Sequence, residues 1–205
     1  LLNNFFDKFD KDQVNFINDL KKNYSINEIF KILKKVSSTN VLALGEIMID
    51  NYHYVETKGK SGKETHLVLK SKNNENFLGG IGAIANNITS FSNNTNLISC
   101  IGENNSYKNF ILKKLSKKIK FDFFIKKSTN TILKKRYLDD YRKNKILGVY
   151  DVDDRNLTRT EKLILIKKIK KYIKKTDLVL VADYNHGFID TKTANFITKS
   201  SKFFA

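Results

Sequence analysis

The spacing of apolar residues changes character at about residue 38 of this 205-residue chain. Before that point the pattern is helical, and residues 1–38 read as a polar helical preface. Asp10 is placed to cap a helix that carries Val14, Phe16, Ile17 and Leu20. Ser25-Ile26-Asn27-Glu28 fits a capping box, in which the serine takes an orphan amide and the glutamate reaches back. Ile29, Phe30, Ile32 and Leu33 give the second helix an apolar face, and Ser37-Ser38-Thr39-Asn40 ends it. From Val41 onward the pattern becomes that of an alternating α/β fold, a domain spanning residues 39–205.

Val41-Leu42-Ala43-Leu44-Gly45 is a short apolar run of the kind buried in a parallel sheet. Two strand-like pieces follow at residues 52–58 and 66–70, with a glycine-bearing turn at 59–62 between them. Gly79-Gly80-Ile81-Gly82 runs into a predicted helix over 83–91. A strand over 97–101, a helix over 107–115 and three strand candidates at 121–125, 132–138 and 146–150 come next. Residues 160–175 form a helix with Leu163, Ile166, Ile169 and Ile173 on one face. Alone it could pass for a basic amphipathic membrane binder. The buried strand Asp177-Leu178-Val179-Leu180-Val181 follows at once, so it reads as the crossover of a βαβ unit. A helix over 191–200 precedes Phe203-Phe204-Ala205, which has the look of a strand beginning. The expected fold is therefore α/β with a central, mostly parallel sheet, and the early hairpin forms a small separate β lid.

Composition adds bounds. No apolar run approaches the roughly 18 residues needed to span a bilayer. The stretch from Leu1 to Asp10 is broken by Asn and Asp, so no signal peptide is expected, and a cytoplasmic location follows by default. The single Cys100 excludes an intrachain disulfide and reads as a small buried hydrophobe. A net charge of +17 raises the alternative of a nucleic-acid or anionic-surface binding module. Only four of the basic residues are arginines, Arg136, Arg142, Arg155 and Arg159, whereas nucleic-acid interfaces favour that side chain's planar fork. The lysines read as a solvated surface, with neither nucleic acid nor membrane as a partner.

Four features carry candidate chemistry. Asp50 is expected at the carboxyl end of the first buried strand, where α/β sheets bind ligands and where a carboxylate can accept from two neighbouring sugar hydroxyls. Gly79 and Gly80 allow close backbone approach at a helix start. Lys134 and Arg136 alternate on one face of a strand. Asp183-Tyr184-Asn185-His186-Gly187 follows another buried strand directly.

In this order the four resemble the ribokinase/pfkB carbohydrate kinases, most closely their heptose-7-phosphate kinase branch, over residues 41–190. Gly45, Glu46, Met48, Asp50 and Tyr52 match a Gly-Asp/Glu-x-Met-x-Asp-x-Tyr pattern. Gly79 and Gly80 match the Gly-Gly element, and Thr131, Lys134 and Arg136 match a Thr-x-x-Lys-x-Arg strand. Asp183 to Gly187 matches an Asp-Tyr-Gly-Lys-Gly loop, with Asn185 and His186 as departures; Asn also reaches the left-handed region. Ala83 stands where the family has an Asn, and Asn87 matches a second one.

The resemblance implies a ribokinase-like three-layer fold and transfer of phosphate from ATP, with Mg2+, to a sugar or sugar-phosphate hydroxyl. It implies a substrate site made of Asp50, Gly79, Gly80, Asn87, Lys134, Arg136 and Asp183, with Lys134 or Arg136 meeting a substrate phosphate. It also suggests a homodimer through the β lid and, for residues 1–38, a link from a fused nucleotidyltransferase domain. The family's Gly-Ala-Gly-Asp element, which carries the catalytic base, has no match in the chain. No catalytic residue or metal ligand is assigned within it, and the base is expected beyond Ala205. Leu1 in place of Met and the incipient strand at the other end fit a fragment, inactive alone and marginally stable; a non-catalytic kinase-like scaffold is the further alternative.

Overall fold

The computed structural model describes residues 9–205; residues 1–8, most of the Leu1–Asp10 stretch in which no signal peptide is expected, lie outside the described residues. The chain divides into two units, Leu1–Ser38 and Thr39–Ala205. The first contains helices α1 (Lys11–Asn23) and α2 (Ile26–Ser37). Both open on full capping boxes. The Asp10 carboxylate accepts from the Gln13 amide at 2.8 Å while the Gln13 side chain accepts from the Asp10 amide. Ser25 and Glu28 repeat the arrangement at α2. Neither helix buries a side chain.

The second unit holds two four-stranded sheets. In the first, β5 (Ile119–Lys126), β4 (Asn94–Gly102), β1 (Asn40–Gly45) and β8 (Leu178–Ala182) lie in that order, all parallel. Because successive side chains of a strand point to opposite faces, β1 feeds two cores. Leu42 and Leu44 join Leu165, Ile169, Tyr172 and Ile173 of α5 (Arg159–Ile173) and Ile197 of α6 (Thr191–Ser200). Ala43 joins Ile81 and Ala85 of α3 (Ile81–Ile88) and Ile111 of α4 (Lys108–Lys114). Helices thus cover both faces, giving three layers, and β1 is continuously apolar for that reason. Cys100 is partly buried against the first of these cores, and burial pushes its thiol up to about 12.

The second sheet, the lid, has the order β3-β2-β6-β7. Strands β2 (Ile47–Lys60) and β3 (Leu67–Gly80) form a long antiparallel hairpin. β6 (Ile132–Asp139) adds parallel to β2, and β7 (Lys145–Asp151) adds antiparallel to β6. Three expectations change here. The lid is a four-stranded sheet rather than a small hairpin, because residues 132–138 and 146–150 join it. Asp50 lies within β2, not at the end of the first buried strand: Glu46 alone separates β1 from β2, and Ile47, Met48 and Ile49 continue as buried strand. The strand expected at 66–70 runs on to Gly80, and α3 starts at Ile81 instead of residue 83.

At the other end of the chain, residues 203–205 align parallel with β8. The Val179 amide donates to the Phe203 carbonyl at 2.9 Å, and the Ala205 amide donates to the Val179 carbonyl at 3.0 Å. No helix among the described residues is long and apolar enough to cross a membrane.

Candidate functional site

The lid strands place the motif residues by register. Asp50 on β2 stands opposite Lys134 on β6, and Tyr52 opposite Arg136. With a period of two, Asp50, Tyr52, Lys134 and Arg136 all belong to one face of the sheet. On that face the Arg136 guanidinium donates to the Asp50 carboxylate, and both side chains are mostly buried. The guanidinium lies between two rings, 5.8 Å from the centre of Tyr52 and 5.6 Å from that of Tyr150. Burial alone would lower its proton affinity; the Asp50 carboxylate outweighs this and raises it. Tyr52 packs on Phe77 at 5.4 Å, extending the aromatic floor onto β3.

Gly79 lies beneath the carboxylate: a Cβ there would collide with Asp50 Oδ2. Gly80 has φ +57°, a left-handed conformation, and presses against the Glu46 carbonyl. That carbonyl accepts the amide of Ile81, the first residue of α3, at 3.0 Å. The glycine pair thus brings main chain close to the Asp50 carboxylate at Gly79 and to the Glu46 carbonyl at Gly80.

The loop after β8 closes the arrangement. Asp183 accepts the Asn185 amide at 2.9 Å, and Asn185 adopts the left-handed conformation with φ 62°. The Lys134 ammonium lies 5.8 Å from the centre of the Tyr184 ring, so the loop meets the lid there. Asn87 does not join these contacts. It is exposed in the last turn of α3, seven residues from Gly80, or about 10 Å along the helix axis at the standard rise. Thr131 has a scaffold position, its hydroxyl bonding the Gly102 amide and the Ser106 carbonyl.

Two groups escaped the sequence reading as site residues. Tyr150 gave no local signal, because its place beside Arg136 depends on the β6–β7 register. Glu46 stood in a motif but was given no role. It is buried, and its carboxylate accepts the amides of Tyr184 at 3.0 Å and His186 at 3.1 Å. A small pocket of about 20 Å3 is lined in part by Glu46, Lys126, Asp153 and His186. A larger groove of about 810 Å3 opens at the start of α5 and α6, but it holds none of the motif residues, and its Lys162 is paired with Asp190 at 2.8 Å.

No protein-family model matches the chain. The chain is similar to the bifunctional protein HldE of Aliarcobacter butzleri, 28% identical over 167 residues, and to that of Vibrio cholerae, 26% identical over 169 residues. The alignments cover 80% and 82% of this chain but 34% of each relative, in the relatives' N-terminal part. The chain thus spans about a third of the length of the curated relatives it matches. Among solved structures it is similar to phosphofructokinase-2 from Escherichia coli in complex with fructose-6-phosphate, with TM-score 0.54, 9% identity and coverage of 80% of this chain and 52% of that one. It is likewise similar to ribokinase from Giardia lamblia, with TM-score 0.52, 16% identity and coverage of 82% and 51%. The fold is ribokinase-like, and the resemblance is to the heptose kinase branch of the ribokinase/pfkB carbohydrate kinases.

Proposed function

We propose that this chain forms the acceptor-binding part of a carbohydrate kinase, which transfers a phosphoryl group from ATP to a hydroxyl of a heptose phosphate in nucleotide-sugar synthesis for surface polysaccharide. The observation that carries the reading is the Asp50–Arg136 pair set over Gly79 between Tyr52 and Tyr150. A carboxylate accepts from sugar hydroxyls, and a planar guanidinium donates to a phosphate in bidentate fashion. An acceptor carrying both groups can replace each half of the pair with its own partner. Lys134, held over Tyr184, supplies a second cation for the phosphate, and the backbone at Gly79 and Gly80 lines the sugar pocket. Asp183 is assigned to the same pocket.

The assignment covers the acceptor side only. Among the described residues no group of three or more His, Cys, Asp or Glu side chains is disposed to hold a metal ion. Mg2+ in an ATP complex is held chiefly by phosphate oxygens and water with one or two carboxylates, and it would come with the nucleotide. The proposal also takes residues 1–38 as a link to a nucleotidyltransferase domain. It further takes the lid as a homodimer surface through Leu147 and Val149 of β7, each 52% exposed.

The test is calorimetric titration with heptose 7-phosphate, fructose 6-phosphate and unphosphorylated fructose. Asp50→Ala and Arg136→Ala should each weaken binding of the phosphorylated sugars at least tenfold, as expected for losing a charge-assisted hydrogen bond. Retention of affinity within a fewfold in the Asp50→Ala protein would remove Asp50 from the site.

A further inference from the structure

Glu46 is 2% exposed, and a buried carboxylate needs partners that replace water. Its two oxygens take one amide each, Oε2 from Tyr184 and Oε1 from His186. Between those amides stands Asn185 in the left-handed conformation. Amides turned inward around such a residue form an anion-binding concavity, and here the anion is a side chain of the protein itself. Glu46 acts through its main chain as well, since its carbonyl accepts the Ile81 amide beside Gly80, whose positive φ only glycine adopts freely. Glu46 is also the single residue between β1 and β2, hence between the two sheets. One residue thus fixes the Gly79-Gly80 turn and the loop from Asp183 to Gly187 relative to each other.

Tyr184 connects this to the acceptor face. It is partly exposed, its ring lies by the Lys134 ammonium, and its amide is one of the two that Glu46 holds. Lys127, Arg155 and their neighbours lock the segment before α5 through Glu161, but they do not reach the Tyr184 or His186 amides. His186 contributes its ring to Asp154 at 2.6 Å, which leaves the loop amides to Glu46.

We propose that Glu46 is a positioning residue for the acceptor site: its carboxylate fixes the loop so that Tyr184 stays beside Lys134. The proposal rests on the kinase reading for its catalytic consequence, and on geometry alone for the clamp. Glu46→Gln keeps the shape but turns one oxygen into an NH2 group facing an N–H donor, and it removes the charge.

Amide exchange measured on the 205-residue chain tests the clamp without reference to turnover. In the wild type the Tyr184 and His186 amides should be protected, although their loop is largely exposed; exchange at free-loop rates would overturn the proposal whatever the variants do. In Glu46→Gln one or both should exchange about 10- to 100-fold faster, the range for losing a hydrogen bond to a charged group. In the kinase containing this chain, the acceptor KM should rise by a similar factor while kcat and the KM for ATP change less than threefold. Glu46→Asp, which keeps the charge on a shorter arm, should recover part of the acceptor KM. Equal losses in kcat and both KM values, or no recovery in Glu46→Asp, would reduce Glu46 to a structural residue. If the wild type turns over no sugar phosphate, the kinase reading fails while the exchange data still decide the clamp.

Discussion

A methyl group at Gly79 would land on the Asp50 carboxylate, so this position controls a side chain 29 residues away. We expect Gly79→Ala to push Asp50 off Arg136, to cost about 1–3 kcal/mol as an overpacked contact, and to weaken sugar-phosphate binding as strongly as Asp50→Ala. Urea denaturation and calorimetry on the same preparation check both parts. Unchanged affinity would show that Asp50 does not need its present position. The sequence made Asp50, Gly79, Gly80, Lys134, Arg136 and Asp183 legible as separate signals. It did not reveal that Asp50 and Arg136, 86 positions apart, form one pair, because that follows from the register of β2 on β6 and not from any local pattern. Glu46 went unassigned for a related reason: its partners are backbone amides, which leave no trace in side-chain identity.

Strands buried on both faces were readable as apolar runs, and α1 and α2 were readable from their caps and periodicity although they bury no side chain. A polar strand in an exposed sheet was not. β1 and β8 stood out as apolar runs because helices cover both sides of their sheet. The run from Ser71 to Asn76 is polar at every position yet forms the middle of β3, held by backbone pairing to β2 in an exposed sheet. Period-two alternation cannot appear where neither face is buried. At the start of α5 the capping box of Thr158 and Glu161 does more than begin a helix. Glu161 accepts from both Arg155 amino groups, from Thr158 and from the Lys127 amide. The Arg155 guanidinium, foremost among these donors, holds the Glu161 carboxyl at about 2, against 4.5 ordinarily. A carboxyl depressed on folding stabilises the native state above its unfolded value and loses that contribution as pH falls toward its folded one. Glu161 should therefore contribute roughly 3 kcal/mol near neutrality, lost progressively between about pH 4.5 and pH 2. Denaturation midpoints at pH 7, 4 and 3 should fall more steeply for the wild type than for Glu161→Gln, with the gap closing at the acid end. A constant gap across that range would contradict this linkage.

For the molecule as a whole, the net charge of +17 is carried mainly by lysines, and two in the C-terminal half of α5 are engaged. Lys168 and Lys171 both contact Asp122, which Tyr172 also bonds. We expect any DNA binding to be nonspecific and to weaken to about micromolar or poorer by about 150 mM salt, since such binding reflects counterion release alone. Filter binding at two salt concentrations measures this, and submicromolar affinity at the higher one would revive the nucleic-acid reading. For the lid contact, Val149→Lys should shift sedimentation toward monomer without altering sugar-phosphate affinity; an unchanged oligomeric state would rule that surface out. The parallel pairing of β1 with β8 joins Val41 to Leu178, 137 positions later. At synthesis rates of about 5–20 residues per second, the second neighbour of β1 emerges roughly 7–27 s after β1 itself. β4 arrives sooner and can cover one side, but the other side of Val41, Leu42, Ala43 and Leu44 waits on the ribosome until β8 has been made. The strand that leads into the acceptor site is thus half-covered while the chain is being made, and its open edge is then available to a holding chaperone.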